Sequence, residues 1–343
     1  MEAISLEHRI RAFSELGKLL QEELRIPGSD LFSKVLVQAR AQNSWFTAES
    51  VIKSIDAIAK LLDSEILRLW LSAYKIPAFN NSPLRIGVIM AGNIPMVGFH
   101  DFLCILISGN AVSAKLSSKD SVLLKYLAAK LIDIEPRFAA LIEFKDSLPS
   151  NTEALIATGS DNSARYFDYH YGHLPHIFRK NRNSVALIHR GISESELEDL
   201  GSDIFDYFGL GCRSVSMVYI PEEFSLYQLV APWKKFSHAM DNDAYRLNYN
   251  YHRALYTTGG EEFYDAGHII LKESAVFNSP VSVLHYRRYS RAETATRELE
   301  LNSEKIQVLI GKGYHKFGSA QSPQLPDYAD NVDTIEFLLS LSS

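Results

Sequence analysis

Leu84-Arg85-Ile86-Gly87-Val88-Ile89-Met90-Ala91-Gly92-Asn93-Ile94-Pro95 is where the grammar of this chain changes. Upstream of it, apolar residues recur at helical spacing. Downstream, short apolar runs alternate with helical stretches. An apolar run ending at Met90, then a glycine turn and a proline, spells a strand followed by a ligand-facing corner of an α/β sheet. Proline suits the first turn of a helix, so one is expected to open at Pro95. Asn93 offers an amide donor that an oxyanion can use. Taken alone it reads better as the cap of that helix.

Working outward, further strands are expected at 111–115, 138–143, 154–157 and 184–189, with helices at 121–134 and 162–170 between them. This alternation is the signature of a parallel, doubly wound sheet. A helix over 194–208 leads to a second α/β region with strands at 215–220, 268–272, 281–286 and 307–310. Between these lie a helix at 224–240 and a polar, tyrosine-rich stretch at 241–260. Residues 5–75 read as helical, with Ile10, Phe13, Leu16 and Leu20 on one face. Thr47 caps a helix carrying Val51, Ile55, Ile58 and Leu62, and Asp63-Ser64-Glu65 opens another through Trp70. Asn80-Asn81-Ser82-Pro83 is a turn, and residues 333–341 close the chain as a short helix.

Composition narrows the function. A length of 343 residues is enough for two domains. The net charge of −6 argues against nucleic acid or an anionic membrane as a partner. Two cysteines exclude a disulfide framework and a cysteine-rich zinc site. Met1-Glu2-Ala3 runs at once into a charged amphipathic pattern, unlike a signal peptide. The most apolar run, 95–107, is broken by His100 and Asp101 and is too short to span a bilayer. The expectation is a soluble cytoplasmic protein without a transmembrane segment.

Four local patterns carry chemistry. Phe208-Gly209-Leu210-Gly211-Cys212-Arg213-Ser214 sets a cysteine among glycines, just ahead of an apolar strand. A thiolate there is a strong nucleophile, and a nearby cation favours it. The other reading, a buried apolar thiol, suits Cys104 in Phe102-Leu103-Cys104-Ile105-Leu106 better. Lys115 ends a strand, where cofactors bind in open α/β sheets; a solvated surface lysine is its plainer reading. Thr158-Gly159-Ser160-Asp161 joins a strand to a helix start and offers N–H groups to a phosphate, or merely a helix cap. The Asn93 corner is the fourth. His170, His173 and His176 recur every third residue without a carboxylate at ligand spacing, so a metal site is not expected. There is no G-x-G-x-x-G fingerprint, phosphate-binding loop or G-x-S-x-G elbow.

The order of these patterns resembles the aldehyde dehydrogenase superfamily over roughly residues 86–284. The resemblance implies an α/β, aldehyde-dehydrogenase-like fold: a Rossmann-type cofactor domain plus an α/β catalytic domain, with a helical N-terminal segment. It places the segment at 1–75, the NAD(P)-binding domain at 76–205, the catalytic domain at 206–305 and a returning C-terminal segment at 306–343. It implies Cys212 as nucleophile and Asn93 as oxyanion donor. It implies Lys115, Gly159 and Ser160 on the dinucleotide, and Glu273, in Glu273-Ser274-Ala275-Val276-Phe277-Asn278-Ser279-Pro280, on the nicotinamide ribose. One departure stands out. Where hydrolytic members carry a water-activating glutamate, this chain has Phe178-Arg179-Lys180-Asn181-Arg182-Asn183-Ser184, with Arg179 as the nearest match.

A missing base points to acyl transfer with a thiol rather than water. Together with the cysteine loop and Pro326-Asp327-Tyr328-Ala329-Asp330-Asn331-Val332-Asp333-Thr334, it makes the chain resemble the LuxC-like acyl-CoA reductase family. The resemblance implies NADPH-dependent reduction of an acyl-CoA or acyl-carrier thioester to an aldehyde, and an acyl-transferring or acyl-activating partner protein. Arg179 and Arg182 then either hold CoA phosphates or line a surface. The alternatives are an NAD(P)-dependent aldehyde dehydrogenase forming acids and a non-catalytic acyl-transfer scaffold. Superfamily members pair through extensions that are shortened here, which leaves a homo-oligomer open.

Overall fold

Ser5, Thr47 and Asp63 each accept a hydrogen bond from the first turn of the helix that follows. These side chains satisfy N–H groups that a helix start leaves without partners. The helices so begun are α1 (Leu6–Arg25), α3 (Ala48–Leu61) and α4 (Ser64–Leu71), and α2 (Asp30–Gln42) lies between the first two. A computed structural model of the protein describes residues 3–26, 30–159 and 161–341. Among these, no helix is long and apolar enough to cross a membrane.

The chain divides into two compact units, residues 1–180 with 324–343, and residues 181–323. In the first, β1 (Arg85–Ile89), α5 (Phe99–Ile107), β2 (Ala111–Lys115), α6 (Val122–Ile134), β3 (Ile142–Phe144), β4 (Ala154–Thr158), α7 (Asp161–Tyr171) and β5 (His176–Arg179) follow in order. The strands form one parallel sheet, β3-β2-β1-β4-β5. This is the doubly wound order, in which the chain reverses direction beside β1. Phe13, Leu16, Leu20, Val51, Ile55 and Leu62 share one buried core with Phe102, Leu106, Leu127 and Phe138. The helical N-terminal segment is thus part of this unit's core.

The second unit contains β6 (Asn183–Leu187), α8 (Glu194–Phe205), β7 (Val215–Pro221), α9 (Leu226–Val230), α10 (Asp243–Gly259), β8 (Tyr264–Asp265), β9 (Ile270–Glu273), β10 (Val283–Tyr289), α11 (Ala292–Leu301) and β11 (Ile306–Gly311). Its sheet runs β11-β6-β7-β10-β9-β8, parallel except for β8 against β9. β6 pairs with both β7 and β11. The unit therefore starts at Asn181 and retains residues 306–323, where the sequence placed boundaries at 205/206 and 305/306.

The last residues return to the first unit through α12 (Thr334–Ser340). Their anchor is a buried ion pair. Arg179 bonds Asp101 of α5 through Nη1 and donates from Nη2 to Thr334 Oγ1 at 3.0 Å. Around it, Tyr74 donates to Asp333 at 2.6 Å, Trp70 Nε1 donates to Tyr328 at 3.0 Å, and His100 Nε2 lies 2.9 Å from the Leu325 carbonyl. Breaking a buried pair from one side leaves an uncompensated charge. Arg179→Met is expected to lower stability in urea titrations by about 3–5 kcal/mol. Asp101→Leu/Arg179→Met is expected to recover most of that loss. A single variant no less stable than wild type would contradict the anchoring role.

Candidate active site

β2, β1 and β4 lie side by side and run the same way, about 4.8 Å apart. Their carboxyl edge gathers Lys115, the Asn93 corner and Gly159, in the region where open α/β sheets take ligands. Lys115 ends β2 with an exposed side chain, while its carbonyl accepts the Met90 N–H at 3.1 Å. Gly159 follows the end of β4, two residues before α7, and donates to the Arg179 carbonyl at 3.3 Å. A Cβ at Gly159 would lie 2.6 Å from Ser163 Cβ, so close helix packing requires glycine there. Ser160 lies outside the described residues.

The Asn93 corner is built differently from the expectation. Residues 91–98 run as bends and turns, and α5 begins only at Phe99 with Gly98 as its cap. Asn93 therefore caps no helix, and Pro95 precedes the helix instead of opening it. Bonds from remote elements hold the corner. Asn43 Nδ2 donates to the Gly92 carbonyl at 3.1 Å and Ser54 Oγ to the Pro95 carbonyl at 2.9 Å. The Met96 N–H donates to Asp120 Oδ2 at 2.7 Å. Met96 holds a left-handed φ of 57°, uncommon outside glycine, and the Asp120 bond secures it. Asn93 itself is exposed at the head of this frame.

Asn43, Ser54 and Asp120 were not singled out from sequence. Asp120 left one trace, a carboxylate five residues beyond a strand end. It is buried, and its Oδ1 has no hydrogen-bond partner. Burial pushes its carboxyl up to about 7, opposed by the Met96 N–H.

In the second unit, Cys212 sits between α8 and β7 and is exposed, whereas Cys104 is buried. Tyr207, Phe208 and Gly209 take φ of 54°, 58° and 74°, a left-handed run that turns the chain sharply. Ser184 Oγ of β6 donates to the Cys212 carbonyl at 2.9 Å. Arg213 Nε donates to the Ala320 carbonyl at 2.6 Å, and Gln321 Nε2 to Ser214 Oγ at 3.0 Å. The 318–320 loop is held in turn by buried Asp203, which accepts the N–H groups of Gly318 and Ala320. Its carboxyl is pushed up to about 7, by burial first. Arg213 thus anchors the turn.

Glu273 falls elsewhere. It ends β9, paired level with Tyr286, itself level with Val218 of β7, six residues beyond Cys212. The chain after it doubles back, and the Phe277 carbonyl accepts Ser216 Oγ at 2.8 Å. The segment thus returns toward the cysteine's strand through Phe277, with Glu273 at the end of β9, level with the middle of β7. Arg179, buried in its ion pair, is not disposed to hold CoA phosphates. His170 ends a helix and His176 starts a strand, so they share no helix face. No metal-ligating cluster occurs among the described residues.

The fold is similar to that of solved aldehyde dehydrogenases. One, from Mycobacterium tuberculosis and complexed with NAD+, has a TM-score of 0.61 at 14% identity, over 85% of this chain and 70% of that one. Another is aldehyde dehydrogenase 21 of Physcomitrella patens with its reaction product succinate (TM-score 0.62, 12% identity, 97% and 84% covered). A third is NADP-dependent glyceraldehyde-3-phosphate dehydrogenase of Bacillus halodurans with NADP (TM-score 0.62, 12% identity, 89% and 73% covered). No protein-family model and no curated protein matches the chain. The fold is that of the aldehyde dehydrogenases.

Asp120 makes the corner testable by pH. Its folded pKa of about 7 exceeds the ordinary 3.8, so the native state keeps a proton that the unfolded chain releases in between. Its contribution is full below 3.8 and falls as pH rises toward 7. Asp120→Asn removes that dependence. It is expected to exceed wild type in stability at pH 8 by roughly 2–4 kcal/mol, at about 1.4 kcal/mol per pH unit. The two should converge near pH 4. Parallel urea curves at both pH values check this, and an unchanged difference would refute the protonated carboxyl.

Proposed function

We propose that this chain is an NAD(P)H-dependent oxidoreductase working through Cys212, and that it reduces an acyl thioester, carried by CoA or an acyl carrier, to the aldehyde. The observation that carries this reading is Arg179. The position matched to the water-activating glutamate holds a guanidinium, which cannot act as a base at neutral pH. It is committed to Asp101 and Thr334. An acyl-enzyme with no water base at that position is suited to exchange with thiols.

The residues at the carboxyl edge suit a dinucleotide. An exposed ammonium at Lys115 can bond ribose hydroxyls. The amino end of α7, after Gly159 and Ser160, offers N–H groups to a pyrophosphate. NADPH, when bound, supplies the hydride. The Cys212 thiolate bonds the thioester carbonyl carbon, and the carrier thiolate leaves with the electron pair of the broken C–S bond. After reduction at that carbon, collapse of the thiohemiacetal expels Cys212 as thiolate and frees the aldehyde. Asn93 and the Cys212 N–H are the proposed oxyanion donors. Glu273, at the end of β9, is the proposed contact to the nicotinamide ribose. An acyl-transferring or acyl-activating partner protein would supply the thioester.

A second reading, oxidation of an aldehyde to an acid, is favoured by the fold neighbour described with succinate as product. Acyl-CoA-dependent NADPH oxidation, run across chain lengths, separates the two. Wild type is expected to oxidise NADPH and release aldehyde. Cys212→Ala should lose at least roughly 10³-fold in rate with unchanged melting, since Cys212 is exposed. Aldehyde-dependent NAD(P)+ reduction with no response to any thioester would replace the first reading with the second.

A further inference from the structure

The amino edge of the first unit's sheet carries a cavity of about 350 Å³. It lies at the starts of β1 and β2 and just ahead of β3 and β4, lined there by Arg85, Ala111, Leu141 and Glu153. Strands of five residues separate it from the Lys115 edge by about 15 Å.

Three arginines line it. Arg85 pairs with Glu143 at 2.9 Å and Arg137 with Glu135 at 2.7 Å. Arg9 of α1 is different: it is 1% exposed, and among the described residues no carboxylate pairs with it. Its Nη2 donates to the Pro77 carbonyl at 3.2 Å, and its buried Nε has no partner. Burial pulls its pKa down to about 10 with no neighbouring charge opposing the shift. The surroundings are shaped to keep the guanidinium there. Gly109 takes φ of +91°, and a Cβ on it would fall 2.0 Å from Arg9 Nη1.

A buried cation is costly unless an opposite charge and further hydrogen bonds compensate it. Arg9 itself meets a carbonyl and no carboxylate; the one carboxylate of the wall, Glu153, accepts the Arg85 N–H, so the counter-charge to Arg9 is what is lacking. A guanidinium presents a planar fork that matches the two oxygens of a phosphate or carboxylate. We propose that this cavity is a binding site for a small oxyanion, with Arg9 as its principal ligand and Asn80 and Asn81 in its wall. Ile4, Ala111 and Leu141 beside it accept a short apolar body on the same molecule.

Thermal melts of the full chain, at constant ionic strength and with saturating NADPH, test this with inorganic phosphate, sulfate and butyrate as probes. At least one probe is expected to raise the melting temperature saturably over the chloride control. Phosphate and sulfate acting without butyrate assigns a phosphate-type ligand; butyrate alone assigns a carboxylate. Arg9→Met should abolish the saturable shift. Asn81→Asp places a like charge in the wall at an exposed position. It should weaken the anion roughly tenfold and melt as wild type does in chloride. It keeps the test decisive if Arg9→Met fails to fold. Lys115→Ala should leave the shift intact. No saturable shift with any probe, or a shift undiminished in Asn81→Asp, would overturn the site.

Discussion

The first unit turns on one buried guanidinium. Arg179 ends β5, Asp101 lies in the first turn of α5, and Thr334 begins α12. A carboxylate suits the positive end of a helix, so Asp101 is placed well before its partner arrives. The pair is not fully satisfied, since Asp101 Oδ1 and Arg179 Nε have no hydrogen-bond partners. Buried pairs of this kind add little net stability over apolar replacements. What this one does is select an arrangement: α5, the last strand of the sheet and the returning C-terminal segment must all be in place for the charge to be compensated.

That selection bears directly on the corner, because residues 91–98 are the link between β1 and α5. One end of the link is fixed by strand pairing and the other by a helix anchored through Asp101. Asn43, Ser54 and Asp120 hold the carbonyls and the Met96 N–H between. A parallel sheet must be covered on both faces, and the N-terminal helices provide part of that cover. The same helices reach over the sheet's edge and hold the loop that presents Asn93.

Backbone pairing was legible where side-chain pattern and element length agreed. β2 falls at the expected residues, and β1 and β4 within one residue of them. The expected strand at 138–143 gives way to a 3-10 turn at Pro136–Ala140 followed by the short β3, because Pro136 opens a helical turn. β5 carries no strand pattern in the sequence, being four residues long with a histidine at its head. The helix expected at 224–240 ends at Val230, and a 3-10 run begins beside Pro232. Conversely α10 occupies the polar, tyrosine-rich stretch, where Tyr245, Tyr249 and Tyr256 recur at helical spacing and are buried. The candidate site was legible only as strand ends and a glycine-flanked cysteine. Asn43, Ser54, Asp120 and the Asp101–Arg179 pair act across long sequence separations, and such bonds leave no periodic trace.

The cysteine turn suits the proposed chemistry for a reason independent of the fold neighbours. Tyr207 and Phe208 both hold left-handed φ, at a cost of about 1–3 kcal/mol each. The anchors at Ser184, Ala320 and Gln321 offset that cost. Thioester exchange is close to isoenergetic, so a thiol acceptor needs orientation more than driving force. A nucleophile fixed on a sharply turned, side-chain-anchored loop supplies orientation. Hydrolysis needs a further group, a base that delivers water, and the position matched to that base is spent on holding the sheet to its C-terminal segment. An arginine cannot be turned into that base without also losing the anchor. In this reading one side chain has two consequences: a guanidinium at that position offers no route to water, and it ties β5 to α5 and to the returning C-terminal segment.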